Sequence, residues 1–176
     1  YIENTKDIDL NSIKKNKKIT IIYRNKDIQE NKEDFYKFRK LCKLKKFKFY
    51  VSNQIKLFKA CRADGLYISS YNKKIYLNKN LKLIGSAHSF KEIAEKIKQG
   101  CKTIFLSRLF ETSYENKRGY LGVVKFNLII EKYNVSIVPL GGIRSSNLNK
   151  LNLVNSVGFG LLSETKKSRL LLAGFF

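Results

Sequence analysis

Short apolar runs alternate with amphipathic stretches along the whole chain. The apolar runs are rich in β-branched and aromatic residues, which is typical of strands. They predict strands over Ile19–Tyr23, Phe47–Val51, Gly65–Ile68, Leu81–Gly85, Lys102–Leu106, Val135–Leu140 and Ser156–Leu162. Because each run is nearly continuous in apolar residues, we expect parallel strands that are buried on both faces.

Stretches with apolar residues at helical spacing lie between these strands. They predict helices over Glu30–Leu44, Gln54–Arg62, Ser89–Gln99, Tyr120–Tyr133, Ser145–Leu153 and Glu164–Leu172. The third helix has the clearest boundaries, because Ser89 and Glu92 have the spacing of a capping box and Gly100 follows as a stop. Its buried stripe is expected at Phe90, Ile93, Ala94 and Ile97.

The alternation of strands and helices predicts an α/β fold. Seven strands, with Tyr1–Ile2 as the end of a further one, favour a compact (β/α)₈ TIM barrel that is truncated at its first strand. We expect a single domain over residues 1–176. An open doubly wound sheet is the alternative, although that fold usually needs fewer strands. Because the chain begins at Tyr1 and contains no Met, we also expect it to start inside a longer translated product.

The charge is strongly positive, with 36 Lys and Arg against 14 Asp and Glu and a net charge of +22. Such a balance would suit a nucleic-acid-binding protein. However, 29 of the basic residues are lysine, whereas proteins that read bases rely on arginine. The lysines are scattered, with short clusters only at Lys14–Lys18 and Lys43–Lys48. We therefore attribute most of the charge to compositional drift and a general attraction for anions, and favour this interpretation over nucleic-acid binding.

The cysteines and the hydropathy of the chain indicate its redox compartment and its relation to membranes. The three cysteines, Cys42, Cys61 and Cys101, are widely spaced and form no C-x-x-C pair. This pattern argues against a disulfide framework or a structural zinc site and favours a reducing, cytoplasmic setting. Since no apolar stretch approaches the length of a membrane helix, we expect no membrane association.

Candidate functional residues follow from the predicted strands, because a barrel carries its site at their carboxyl ends. Those positions are rich in donors and poor in carboxylates: Arg24, Lys26, Asn53, Asn72, Ser86, His88, Thr112, Ser113, Lys117, Gly141, Gly142, Gly160 and Ser163. Cationic side chains and the backbone N–H groups of glycines bind anionic oxygens. The positions therefore predict a phosphorylated small-molecule ligand. Taken singly, Asn53 and Asn72 are also typical of turns, and His88 of a helix cap.

An ordered set of motifs resembles thiamine-phosphate synthases. The segments that carry the resemblance, each with the family motif that it resembles, are Ile22–Lys26 (Q-x-R-x-K), Ala63–Ile68 (ADGVHLG), Ile84–Ser89 (IGVSxHT), Phe110–Ser113 (F-x-T), Leu121-Gly122 (LG), Pro139–Ile143 (AIGGI) and Gly158–Ser163 (GVAVVS). That family is a (β/α)₈ barrel that joins hydroxymethylpyrimidine diphosphate to thiazole phosphate, giving thiamine phosphate and pyrophosphate, with Mg²⁺.

The resemblance implies a role for each candidate residue. Arg24, Lys26 and Ser86 would bind the pyrophosphate of the pyrimidine substrate. Together with His88 they form the predicted catalytic set. Thr112, Gly142 and Ser163 would hold the thiazole phosphate. The further substrate-binding positions are Asn53, Ser113, Lys117, Gly141 and Gly160, and Asn72 stands where a metal ligand is expected.

Departures from the family pattern leave alternatives open. Asn53 and Asn72 replace the two Asp residues that would hold Mg²⁺, which prefers carboxylate oxygen. Ile22 replaces a Gln, and Glu115 stands near the place of a loop lysine, with Lys117 two residues further on. A related thiazole tautomerase (TenI-like) needs no metal, and His88 would serve it as a proton shuttle. A catalytically inactive barrel that only binds thiazole phosphate or thiamine phosphate is another hypothesis, and a basic nucleic-acid-binding protein is the last.

Overall fold

The structure is a computed structural model that describes residues 1–25, 30–78, 80–112 and 119–161. Lys26, Ser113, Lys117, Ser163 and the helix predicted over Glu164–Leu172 lie outside the described residues. The described chain divides into two compact units, residues 1–67 and 68–161. Each unit is built from parallel strands and helices in alternation, which confirms the predicted α/β fold class. A single domain over the full chain stays a prediction.

The first unit contains three parallel strands and two helices. In chain order they are β1 (Thr20–Tyr23), α1 (Lys32–Leu44), β2 (Lys48–Ser52), α2 (Ile55–Cys61) and β3 (Gly65–Ile68). In the sheet Ile22 lies opposite Tyr50, and Val51 lies opposite Leu66. A parallel bridge between Ile2 and Tyr23 extends the sheet beyond β1. This bridge lies where the sequence predicts the end of a further strand.

An aromatic cluster fixes α1 against β2. The ring centroids of Phe35 and Phe38 lie 5.7 and 5.8 Å from that of Phe49, in edge-to-face arrangements. Beside them the buried Arg39 forms a salt bridge of 3.1 Å to Asp64. The other Asp64 oxygen accepts the Phe49 backbone N–H at 2.8 Å. The charge of Arg39 is thereby paired, which a buried guanidinium requires.

The second unit contains three further parallel strands. Its elements are β4 (Leu83–Ala87), α3 (Phe90–Lys98), β5 (Thr103–Ser107), α4 (Gly122–Ile130), β6 (Ser136–Leu140) and a 3₁₀ helix (Ser145–Leu153). Ile84 lies opposite Thr103, and Leu106 lies opposite Pro139. In the described part of the chain, no helix is both long and apolar enough to cross a membrane.

The short helix predicted over Ser145–Leu153 is confirmed as a 3₁₀ helix, and two strand predictions in this unit need correction. The described part of the strand predicted over Ser156–Leu162 forms only one bridge, between Leu140 and Gly160. β4 begins two residues later than the predicted strand. Three polar residues, Ser145, Ser146 and Asn147, open the 3₁₀ helix. Gly158 and Gly160 weaken the last strand.

The buried face of α3 also differs from the predicted stripe. Phe90, Ala94 and Ile97 are exposed, whereas Ile93 and Lys96 are buried. The packed face therefore continues through Ile93, Lys96 and Gln99, three residues apart. Lys96, which lies outside the predicted apolar stripe, is buried because its ammonium group finds buried oxygen partners.

The three cysteines are buried and free. Cys42 and Cys61 belong to the first unit, and Cys101 to the second. Burial raises the pKa of the Cys42 thiol to about 12 and that of Cys101 to about 11. Burial also raises the pKa of Cys61. All three thiols are therefore protonated at neutral pH and behave as small apolar core residues.

Candidate active site

Two predicted site residues lie at the carboxyl ends of neighbouring strands in the first unit. Arg24 follows β1, and its side chain is exposed. Asn53 follows β2 with a φ of 55°, in the left-handed region that asparagine tolerates well. The side-chain amide of Gln54 donates to the Asn25 carbonyl at 2.8 Å. This hydrogen bond ties together the turns that carry Arg24 and Asn53.

In the second unit, Asn72 is fixed through its backbone by a buried cation. The Lys96 ammonium donates to the Asn72 carbonyl at 2.7 Å and to Gln99 Oε1 at 2.8 Å. Gln99 Nε2 donates to the same Asn72 carbonyl and to the Lys74 carbonyl, both at 2.9 Å. Lys96 and Gln99, which we call the Lys96–Gln99 clamp, thereby hold a segment that forms neither helix nor strand.

Gly85 makes room for this clamp. A Cβ at Gly85 would lie 2.9 Å from Lys96 Cδ and 3.0 Å from Cys101 Sγ. The aliphatic stem of Lys96 therefore lies directly against the backbone of β4. Burial lowers the pKa of Lys96, because the charged form loses hydration. The hydrogen bonds from its ammonium group to two oxygens offset part of that cost.

His88 is brought next to a hydroxyl group at the ends of β4 and β5. Its Nδ1 lies 2.8 Å from Ser107 Oγ. The His88 backbone N–H donates to Glu92 at 2.6 Å, which fixes the start of α3. Ser86 lies two residues earlier on β4 and is buried. Hydrogen bonding to Ser107 orients the imidazole ring, which is the arrangement that a proton-transfer residue needs.

The loop after β5 and the turn after β6 are joined through their backbones. Leu109 N–H donates to the Leu140 carbonyl, and Phe110 N–H donates to the Gly141 carbonyl, each at 3.1 Å. Arg108 Nη1 donates to Thr112 Oγ1 at 2.8 Å. Thr112 therefore lies beside a guanidinium group, in a loop that is anchored to the turn carrying Gly141.

Only glycine fits at position 142. Its φ of 72° is strained for an L residue, and a Cβ there would overlap the Phe110 carbonyl. Asn147 then stabilises the turn, because its Nδ2 donates to the Gly142 carbonyl at 2.8 Å. The Arg144 backbone N–H donates to Asn147 Oδ1 at 2.9 Å. The 3₁₀ helix thereby starts directly against the glycine turn.

A cavity of about 400 Å³ lies between these two loops. Its lining includes Gly142, Arg144, Ser146, Asn147 and Lys150 on one side and Tyr120 on the other. Two cationic side chains, hydroxyl and amide groups and aromatic rings thus border one opening, together with one carboxylate, that of Glu111. This donor set can bind an anion that is attached to a small ring system.

Sequence reasoning identified only part of this cavity. Gly142 lines it, whereas Thr112 and Gly141 lie in the two loops that form it. Arg144, Asn147 and Lys150 were missed as site residues, although their spacing of three places them on one side of the short helix. Gly160 packs instead against β6, where its N–H donates to the Pro139 carbonyl at 2.8 Å. A substrate-binding role for Gly160 stays a prediction.

Residues 10–163 match the family model described as thiamine monophosphate synthase (TMP-TENI). The chain belongs to this family. The match includes every predicted site residue and confirms the resemblance that the ordered motifs indicate. The matched range includes the loop after β5 and the glycine pair after β6, which carry the cavity of this TMP-TENI chain.

Relatives carry thiamine-phosphate synthase names at low identity. The chain is 25% identical to a thiamine-phosphate synthase of Prochlorococcus marinus (strain AS9601) over 145 residues, covering 80% of this chain and 41% of that protein. It is 25% identical over 139 residues to one from Clostridium acetobutylicum, covering 74% of this chain and 66% of that protein. The chain thus spans well under half the length of the Prochlorococcus relative.

A solved structure shares the fold. Thiamine phosphate pyrophosphorylase from Pyrococcus furiosus superposes with a TM-score of 0.73 and 18% identity, covering 96% of this chain and 87% of that one. At this identity the likeness concerns the fold alone. It shows that this TMP-TENI chain shares the α/β fold of that structure.

The surroundings of Asn72, the predicted metal position, do not fit a Mg²⁺ site in the described part of this TMP-TENI chain. Among the described residues, no group of three or more His, Cys, Asp or Glu side chains could hold a metal ion. Asn72 Oδ1 accepts the Lys74 backbone N–H at 2.8 Å, in a local turn. The Asn72 carbonyl accepts from the Lys96 ammonium, so a positive charge already lies beside it. A neutral amide next to a buried cation is a poor ligand for a hard divalent ion.

Proposed function

We propose that this chain catalyses the last joining step of thiamine phosphate formation. In that reaction a hydroxymethylpyrimidine diphosphate loses pyrophosphate and its methylene carbon bonds to the nitrogen of a thiazole phosphate. The products are thiamine phosphate and pyrophosphate. Membership of the TMP-TENI family and the names of its relatives support this proposal.

The observation that carries the proposal is the cavity beside Gly142. Its size, about 400 Å³, suits a small phosphorylated heterocycle. Arg144 and Lys150 supply positive charge, and Tyr120 supplies an aromatic face. We assign the phosphate of the thiazole substrate to this cavity, with Thr112 in the adjoining loop and Ser163 as a further predicted ligand.

We assign the pyrophosphate of the other substrate to Arg24, Lys26 and Ser86. Pyrophosphate gains negative charge as the carbon–oxygen bond breaks, so cationic and hydroxyl groups lower the barrier. Asn53 follows the strand next to that of Arg24, and the Gln54 hydrogen bond holds both turns in place. In this chain the side chains alone supply the positive charge that we invoke.

A coupling assay tests the proposed reaction. Purified protein is mixed with both substrates, with Mg²⁺ and separately with EDTA, and thiamine phosphate is measured by chromatography. We expect product, and we expect Arg144→Gln to raise the KM for thiazole phosphate by at least about tenfold, because a charge-assisted hydrogen bond contributes about 1.5–3 kcal/mol. Lys132→Gln removes an exposed positive charge just after α4 and serves as the matched control. Absence of thiamine phosphate under both conditions would refute the synthase proposal.

The contact between His88 and Ser107 favours thiazole tautomerase as a second candidate. A histidine oriented by a hydroxyl group at 2.8 Å is suited to moving a proton on a carbon acid. This activity needs no metal, in agreement with the donor set around Asn72. If thiazole phosphate isomers interconvert without the pyrimidine substrate, and His88→Asn abolishes that exchange, the tautomerase assignment replaces the synthase.

We further propose that the strands belong to a closed eight-stranded barrel. The bridges Ile2–Tyr23 and Leu140–Gly160 support this, because they start one more strand in each unit. We also propose phosphorylated small molecules as the substrates and the cytoplasm as the location. The three free buried thiols support a reducing compartment.

A further inference from the structure

The two densest lysine clusters of the sequence meet at one edge of the first unit. One cluster lies in the segment before β1 and the other between α1 and β2. We call residues 11–20 and 43–48 the basal lysine edge, because they precede their strands at the amino ends. Its exposed lysines are Lys14, Lys15, Lys17, Lys18, Lys43, Lys46 and Lys48.

Hydrogen bonds lock the two segments together. The half-buried Lys45 donates through Nζ to the Asn11 carbonyl at 3.0 Å and to the Ile13 carbonyl at 2.7 Å. The Asn16 N–H donates to the Lys45 carbonyl at 3.1 Å, and the Lys48 N–H to the Ile19 carbonyl at 3.0 Å. The exposed ammonium groups therefore extend from a preorganised backbone.

Positive charge predominates at this edge. Half of its sixteen residues are lysines, and it contains no Asp or Glu. The nearest carboxylate along the chain, that of Asp9, accepts the Asn11 backbone N–H at 2.9 Å, and the salt bridge between Arg39 and Asp64 involves none of these lysines. Lysines make up 29 of the 176 residues, so compositional drift alone predicts about a third of this density. Like charges held together destabilise the isolated protein, and an anionic partner relieves that repulsion.

We propose that the basal lysine edge binds the phosphate backbone of duplex nucleic acid without regard to sequence. Lysine is a point charge that suits phosphate, whereas reading bases depends on arginine forks. The edge exposes no aromatic ring, so it lacks the stacking surface that single strands use. Leu44 is its one exposed large apolar residue, too little to insert into a lipid surface.

This surface is separate from the candidate active site and does not rest on the proposed function. Arg24 and Asn53 follow the carboxyl ends of β1 and β2, whereas the lysines precede their amino ends. The sequence favoured compositional drift over nucleic-acid binding, because lysines outnumber arginines and are scattered, with two short clusters that lie about thirty residues apart in the chain. Their meeting at the same sheet edge is the observation that changes this expectation.

A binding experiment with charge-matched variants tests the proposal. Binding of the full chain to a fluorescent 20-base-pair duplex is followed by anisotropy between 50 and 300 mM salt. The edge variant carries Gln at positions 14, 15, 17 and 18, and the control carries Gln in place of Lys56, Lys59, Lys125 and Lys132. Each set removes four exposed positive charges. A second edge variant, with Gln in place of Lys43, Lys46 and Lys48, gives an independent measurement.

We expect tight salt-dependent binding, with a slope of log K against log salt of about −4 to −6 if about five to six phosphates are neutralised. Each edge variant should lose at least tenfold in affinity and lower the slope, whereas the control should change less than threefold. Equal losses in edge and control variants would overturn the proposal. So would absent duplex binding, stronger binding to oligo(dT), or equal edge-dependent binding to phosphatidylserine vesicles. Circular dichroism verifies that the variants are folded.

Discussion

Replacing Gly85 by alanine tests how tightly the Lys96–Gln99 clamp is packed. The new Cβ would lie 2.9 and 3.2 Å from Lys96 Cδ and Cγ and 3.0 Å from Cys101 Sγ. Ordinary van der Waals contacts begin near 3.4 Å, so the neighbours must shift by several tenths of an ångström. The Lys96 stem cannot simply swing aside, because its ammonium group is held by two hydrogen bonds.

The expected magnitude follows from two opposing effects. Alanine in place of glycine at an unstrained position stabilises a protein by about 0.4–1 kcal/mol through the unfolded state. Overpacking a core costs about 1–3 kcal/mol. We therefore expect Gly85→Ala to lower the free energy of unfolding by about 1–2 kcal/mol.

Urea denaturation followed by circular dichroism measures this change through the midpoint at constant m-value. Gly158→Ala is the matched control in the same unit, because nothing lies within 4 Å of a Cβ there. It should be neutral or slightly stabilising. Lys96→Ala should remove much of the penalty of Gly85→Ala, giving a coupling energy of about 1 kcal/mol. If Gly85→Ala matches or exceeds the wild-type stability, the packing argument is wrong.

Further outcomes follow from the turns and the thiols. Gly142→Ala should destabilise the second unit by at least about 2–3 kcal/mol in urea denaturation, since φ strain and overlap with the Phe110 carbonyl add together. Asn147→Ala should lower the affinity for thiamine phosphate several-fold by calorimetry, whereas Asn134→Ala should leave it unchanged. Above pH 9 the unfolded Cys42 thiol ionises while the buried thiol, with a pKa of about 12, stays protonated. Stability should therefore fall by up to about 1.4 kcal/mol per pH unit from this group, and Cys42→Ala should reduce the slope in pH-dependent urea titrations.

The alternation of apolar runs was sufficient to predict most of the fold. Five predicted strands and the first four predicted helices match observed elements closely, because continuous β-branched runs leave few other structures open. The Ser89–Glu92 capping pattern and the Gly100 stop bound α3 as predicted, and the Ser89 hydroxyl accepts the Glu92 N–H. Local hydrogen-bonding chemistry of this kind is encoded within a few residues.

Contacts between segments that are distant in sequence could not be predicted from such local patterns. The burial of Lys96 depends on the absence of a side chain at Gly85 and on carbonyl oxygens near Asn72, and neither appears in a helical pattern. The cavity residues Arg144 and Lys150 depend on a 3₁₀ geometry that short-range propensity did not predict. The two lysine clusters likewise appeared unrelated until the sheet placed them together. Residue type was predictable in each case, whereas the partner was not.

The three buried cysteines can serve as natural probes of local unfolding in this chain. A thiol reagent modifies a buried cysteine only when the surrounding structure opens, so its labelling rate measures local opening. Cys42 and Cys61 would report on residues 1–67, and Cys101 on residues 68–161. Mass spectrometry of timed labelling reactions could then distinguish independent opening of the two units from one cooperative transition, without introducing a single foreign residue.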